Sequence, residues 1–155
     1  MNDSTNVFRN FVGRYNKSQN TDKPTSEDIE KVQRELGVVF PDKYKDFIAS
    51  FGLVYTPEIL DVIVDNNIEQ HDIQEFIKTN ELAQANMQCW SAGMSNEYVA
   101  FATDSMGNMF CFKRHDLAVK KEDVKVYFFD HDFVKISEVA ESFIELIDSY
   151  NRLGR

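Results

Sequence analysis

Apolar side chains recur at three- and four-residue intervals through the first third of the chain, then crowd into short aromatic and β-branched runs, so helices should come first and a sheet later. Val7, Phe8, Phe11, Val12 and Tyr15 fall on one stripe and predict a short first helix. Residues 17–24 contain no apolar side chain between polar Ser, Asn, Thr and Asp and predict a loop. Thr25, with Asp28 three positions on, has the form of a capping box, and Ile29, Val32 and Leu36 give the helix it starts a buried face. Gly37 can end that helix in the left-handed conformation, and Pro41 can open the next, whose stripe is Tyr44, Phe47, Ile48 and Phe51 before Gly52.

Past Pro57 the run Ile59-Leu60-Asp61-Val62-Ile63-Val64 is short and rich in β-branched residues, which predicts a strand. Ile73, Phe76 and Ile77 lie on one side of a stretch free of Gly and Pro, which predicts a helix over about 70–87. Residues 98–103, 109–113 and 124–129 read as three strands of one sheet. Asp104-Ser105-Met106-Gly107-Asn108 supplies the turn of a hairpin between the first two. Val139, Phe143, Ile147 and Tyr150 share a face and predict a closing helix from about residue 137. No internal repeat or low-complexity tract interrupts this order.

Composition narrows the picture. A chain of 155 residues with 43% hydrophobic and 13% aromatic content can bury a core of its own and is expected to form one domain over 1–155. Its formal net charge of −9 argues against tracking nucleic-acid phosphates, which takes Lys and Arg, and favours a basic partner. No apolar run has the length of a membrane span and none near the start resembles a secretion signal, so a cytoplasmic protein is expected, with no membrane partner. Cys89 and Cys111 have neither a redox nor a metal-ligand spacing and read as packed thiols.

Three blocks in order resemble the SUKH superfamily (Smi/Knr-type) of bacterial immunity proteins. Residues 25–52, TSEDIEKVQRELGVVFPDKYKDFIASFG, are similar to its capped helix, Leu-Gly, apolar-Pro turn and Tyr-x-x-Phe helix ending in Gly. Residues 98–116, YVAFATDSMGNMFCFKRHD, resemble its strand, Asp-x-x-Gly turn and second strand. VKVYFFDHD at 124–132 and AESFIELIDSY at 140–150 resemble its last strand and closing helix. Phe51 stands where many relatives have Gly or Asn, and residues 58–94 match no part of the pattern. The resemblance implies an α+β fold, a mixed, mainly antiparallel sheet packed against N-terminal and C-terminal helices. It also implies a binding protein with no enzyme activity and no cofactor: an immunity protein that neutralises a co-encoded toxin by stoichiometric contact. A scaffold or regulator of the Smi/Knr type is the alternative.

Candidate chemistry is sparse. Each histidine precedes an aspartate, at His71-Asp72, His115-Asp116 and His131-Asp132, which raises a metal-dependent hydrolase as a third reading. His115 would lie at the end of a strand and His131 just after one, with no paired ligand at helical spacing, so turn residues are the simpler account and no metal is assigned. Gly-rich phosphate loops, Gly-x-Ser-x-Gly and His-Glu-x-x-His are absent from the sequence. The strongest feature is charge: Glu58, Asp61, Asp65, Glu69, Asp72 and Glu75 occur between Thr56 and Ile77 with no Lys or Arg among them. Such a run can steer a basic cognate toxin, or can simply be a solvated face. Asp61, Asp65, Glu69, Asp72 and Glu75 are therefore the expected partner-binding residues, joined by Asp104, Asp130 and Asp132 near strand ends.

Overall fold

The computed structural model describes residues 3–154. Three helices come first, as the stripes require: α1 (Asp3–Tyr15), α2 (Ser26–Leu36) and α3 (Asp42–Phe51). Thr25 caps α2 in a complete capping box, its Oγ1 accepting from Asp28 N while the Asp28 carboxylate accepts from Thr25 N. Gly37, at φ 70°, ends the helix in the left-handed region. Gly52 ends α3 at φ 67°, and there a side chain would also collide with the backbone carbonyl of Asp22 in the loop between α1 and α2.

The next segment departs from expectation. Residues 59–64 are not a strand: α4 spans Ile59–Asp65. Thr56-Pro57-Glu58 turns the chain, with Thr56 O accepting from Ile59 N and Glu58 O from Val62 N. The i, i+4 pair Ile59 and Ile63 then faces the core while Leu60 and Val64 face water. Tertiary placement overrides the β preference of the individual residues. The helix expected at 70–87 is also displaced. Gln74 N donates to Thr103 O, Phe76 N to Val54 O and Ile77 N to Phe101 O, so the backbone there is bound to a sheet edge as β1 (Glu75–Phe76). A 3₁₀ turn at Thr79–Glu81 follows, and the helix, α5, occupies Leu82–Ser91.

The sheet continues with β2 (Tyr98–Thr103), β3 (Met109–Lys113), β4 (Val126–Asp130) and β5 (Lys135–Ala140), in the order β1-β2-β3-β4-β5 with every pair antiparallel. The α+β architecture is as expected, and its sheet has no parallel pair among the described residues. The predicted hairpin is present in full. Two elements were not anticipated. The short helix α6 (Arg114–Val119) follows β3 directly, so His115 is helical rather than at a strand end. β5 is an edge strand with none of its residues fully buried and no apolar alternation to reveal it. Val139 consequently belongs to β5, and the closing helix α7 starts later, at Phe143–Asn151, capped by Ser142.

One face of the sheet carries Val99, Phe101, Phe110, Phe112, Val126 and Phe128 against α1, α3 and α7. Phe47 is fully buried there, edge-on to Phe8 and Phe143 at 5.1 and 5.5 Å. The other face holds a smaller cluster of Met94, Ala100, Cys111 and Phe129. α5 protects the β2 edge beyond the short β1. Asn86 accepts from Ala100 N and donates to Ala100 O, and Trp90 Nε1 donates to Tyr98 O, so side chains take the place of a missing strand.

Candidate partner-binding surface

Antiparallel pairing places the β2–β3 turn, the β4–β5 turn and the start of β1 at one end of the sheet, since Glu75 pairs with Thr103 and Asp130 with Lys135. Asp104 builds the first turn. Its Oδ1 accepts from Met106 N and Asn108 N, both at 2.8 Å, and its Oδ2 accepts from Asn108 Nδ2 at 3.0 Å. Gly107 takes φ 84° at the tip. Asp72 braces the same turn from the loop before β1, accepting from Ser105 N at 3.0 Å and Ser105 Oγ at 3.2 Å.

A single amide joins the two turns. Because Asn108 Nδ2 donates to Asp104, its Oδ1 must face His131, where it accepts from His131 N at 3.1 Å and lies 2.7 Å from Nδ1. Nδ1 therefore carries the proton of that bond. Asp130 Oδ1 closes the second turn by accepting from Asp132 N and Phe133 N. Val134 follows at φ 50°, a conformation that costs a β-branched residue about 1–3 kcal/mol and persists only where its surroundings impose it.

These bonds hold apolar side chains in the open. Phe133 is 80% exposed, Met106 70% and Val134 58%. The expected partner-binding residues divide accordingly. Asp72 and Asp104 are buried and occupied with backbone and hydroxyl donors, while half-buried Asp130 shapes its turn. Asp132 and Glu75 are exposed at this end. Asp61 and Asp65 are exposed on α4 and Glu69 on the loop after it, a separate patch leading toward the same strand. Among the described residues, Asp61, Asp65, Glu69 and Glu75 meet no cation within ion-pair distance. Met106, Phe133 and Val134 were not anticipated. The available signal was Phe-Val directly after His-Asp in a turn that polar residues would satisfy.

Burial raises the Asp72 carboxyl above the ordinary range; hydrogen bonds from Ser105 oppose the shift and the Asp104 carboxylate adds to it. Burial likewise raises the thiols of Cys89 and Cys111, which suppresses the thiolate that nucleophilic chemistry requires. Cys111 Sγ packs 3.7 Å from Met94 Sδ. His71 stacks on Phe128 with ring centroids 3.7 Å apart, and its carbonyl accepts from Tyr150 Oη. Among the described residues, no three His, Cys, Asp or Glu side chains converge in a way that could hold a metal ion, and no helix is long and apolar enough to cross a membrane.

An α+β domain with a Phe-lined helical layer on one face of a five-stranded antiparallel sheet is the class this architecture defines. Within it, residues 23–149 match the sequence profile of the SMI1 / KNR4 family (SUKH-1), and the chain belongs to that family. No curated protein matches the chain. The matched span begins after α1, so the first helix lies outside it while its Phe8 and Phe11 lie inside the core.

Proposed function

We propose that this chain is an immunity protein that binds a co-encoded toxin stoichiometrically in the cytoplasm and blocks it without turnover. Family membership supports a protein of this kind, because immunity proteins are among the activities the resemblance implies. The observation that carries the reading is the end of the sheet: Phe133 and Met106 are presented on two hydrogen-bonded turns with Asp130, Asp132 and Glu75 around them. Exposed aromatic and Met side chains on a rigid support suit the centre of an interface, and carboxylates suit a rim facing a basic partner. Asp61 and Asp65 on α4 and Glu69 on the loop after it extend the negative field and accelerate encounter.

The test is co-expression with the product of the neighbouring gene. Rescue from toxicity and a co-purifying complex are expected, and both should be weakened by Phe133→Asp. Full rescue by that variant would place the contact surface elsewhere. A regulator acting through protein contacts is the second reading, favoured by a second, oppositely charged surface described next.

A further inference from the structure

On the opposite side of β3 from those turns, α2 and α6 leave a groove of about 680 Å³ between them. Its apolar lining includes Leu117, which is buried, and Val39 and Val119, which are 54% and 65% exposed. Arg34, Lys120 and Lys121 stand along it with Arg114, and Glu30 is the only carboxylate in its lining among the described residues, in a chain whose net charge is −9. Among the described residues, Arg34, Lys120 and Lys121 meet no carboxylate within ion-pair distance. Proximity to the ends of α2 and α6 accounts for favourable positive charge there. It does not account for two valines held out of the core beside it.

The walls are fixed. Arg114 Nη1 donates to Leu36 O and its Nε to Asn96 O, which ties the start of α6 to the end of α2. Lys121 O accepts from Asp42 N and Glu122 O from Lys43 N, which pins the far wall to the start of α3. Gln33 Oε1 accepts from Phe40 N and so ties the segment after α2 back to that helix. Between these anchors, the N–H and carbonyl of Val39 have no hydrogen-bond partner among the described residues.

From this combination we infer that the α2–α6 groove binds an extended peptide segment of a partner protein, one that alternates acidic and apolar residues. The cations select its carboxylates, Val39, Leu117 and Val119 take its apolar side chains, and the Val39 backbone supplies a donor and an acceptor to its main chain. A basic toxin does not fit this groove, so the partner is distinct from the one proposed for the turns. The prearranged walls lower the ordering cost of binding.

The test titrates the full chain into a labelled short peptide alternating glutamate with valine, followed by fluorescence anisotropy at low and high salt. Saturable binding is expected, weaker at high salt and about tenfold or more weaker for Lys120→Glu/Lys121→Glu and for Val119→Asp, with melting curves unchanged. In the unmutated protein, amide chemical-shift changes should concentrate at 30–39 and 114–121, which locates the site whether or not a variant folds. Peptides of lysine and valine, or of glutamate alone, should bind at least about tenfold less well. The proposal is overturned by shift changes elsewhere, by absence of saturable binding, or by equal binding of polyglutamate, which would reduce the groove to plain anion attraction. Self-association of the protein that the peptide displaces would assign the groove to a second copy and would overturn it as well.

Discussion

The turn end of the sheet and the α2–α6 groove are opposites in shape and sign. The first is convex, with Phe133 and Met106 standing out among carboxylates; the second is concave, with Val39 and Val119 set among Arg34, Lys120 and Lys121. A net charge of −9 describes neither of them. The two also spend charge differently. In the groove Arg34, Lys120 and Lys121 are free of ion pairs among the described residues, whereas at the turn end the buried carboxylates, Asp72 and Asp104, are consumed in holding the backbone and only their exposed neighbours can meet a partner.

That division is open to direct attack. The largest effect is expected from Asp104→Ala, which strands the Met106 and Asn108 donors and frees the amide that joins the two turns; a loss of about 3 kcal/mol in urea unfolding is expected. Asp132→Asn and Glu75→Gln should stay within about 0.5 kcal/mol of wild type. Equal stability of all three variants would mean that Asp104 is as dispensable to the fold as its exposed neighbours.

Next in size is Phe133→Ala. As an exposed anchor it should cost about 2 kcal/mol of toxin binding, roughly thirtyfold in Kd, with no change in melting. Calorimetry with the purified toxin measures it, and an unchanged Kd removes Phe133 from the interface. A smaller, kinetic effect is expected when Asp61, Asp65, Glu69 and Glu75 become Asn or Gln. Association should slow several-fold at low salt and its salt dependence should flatten, because attraction is screened over about 8 Å at physiological ionic strength. Stopped-flow rates with matching salt slopes for both proteins would reduce this patch to a solvated face.

The smallest effect concerns pH. Asp72 has a raised pKa in the fold, so its contribution to stability is complete below the ordinary carboxylate value of 3.8 and is lost as pH rises through the raised one. Asp72→Asn lacks that loss and keeps an oxygen for Ser105 N. The stability of the variant relative to wild type should therefore increase across this window and then level off. Urea titrations at a series of pH values measure the difference, and a flat difference shows that Asp72 is not desolvated.

Much of this was legible from residue order alone, where local signals agreed. Thr25, Asp28 and Gly37 delimit α2, and the β2–β3 hairpin follows from two apolar runs around Asp104–Asn108. The failures have one physical character. Ile59–Val64 and Ile73–Ile77 are segments whose geometry is set by long-range partners: the core contacts of Ile59 and Ile63, and the Thr103, Val54 and Phe101 carbonyls that capture the backbone of residues 74–77. β5 was illegible because an edge strand needs little apolar alternation. At the candidate surface, carboxylates were visible as a charge run, but which of them are free depends on hydrogen bonds across the fold. Phe133 gave no periodic signal because it is exposed and belongs to no buried stripe.

The stitching of α1 to α7 has a consequence for synthesis. Arg14 donates to Asn151 O and Leu153 O, Tyr15 Oη donates to Tyr150 O, and Asn151 Nδ2 donates to Val7 O, across 135 to 144 residues of sequence. On the ribosome, the first helix therefore waits for the last one. At about 5–20 residues per second the wait lasts several seconds or more, during which Phe8, Phe11 and Tyr15 lack their final partners and are open to chaperones. A nascent chain halted before Phe143 should hold α1 undocked and sensitive to protease, and release of the completed chain should protect it in one step.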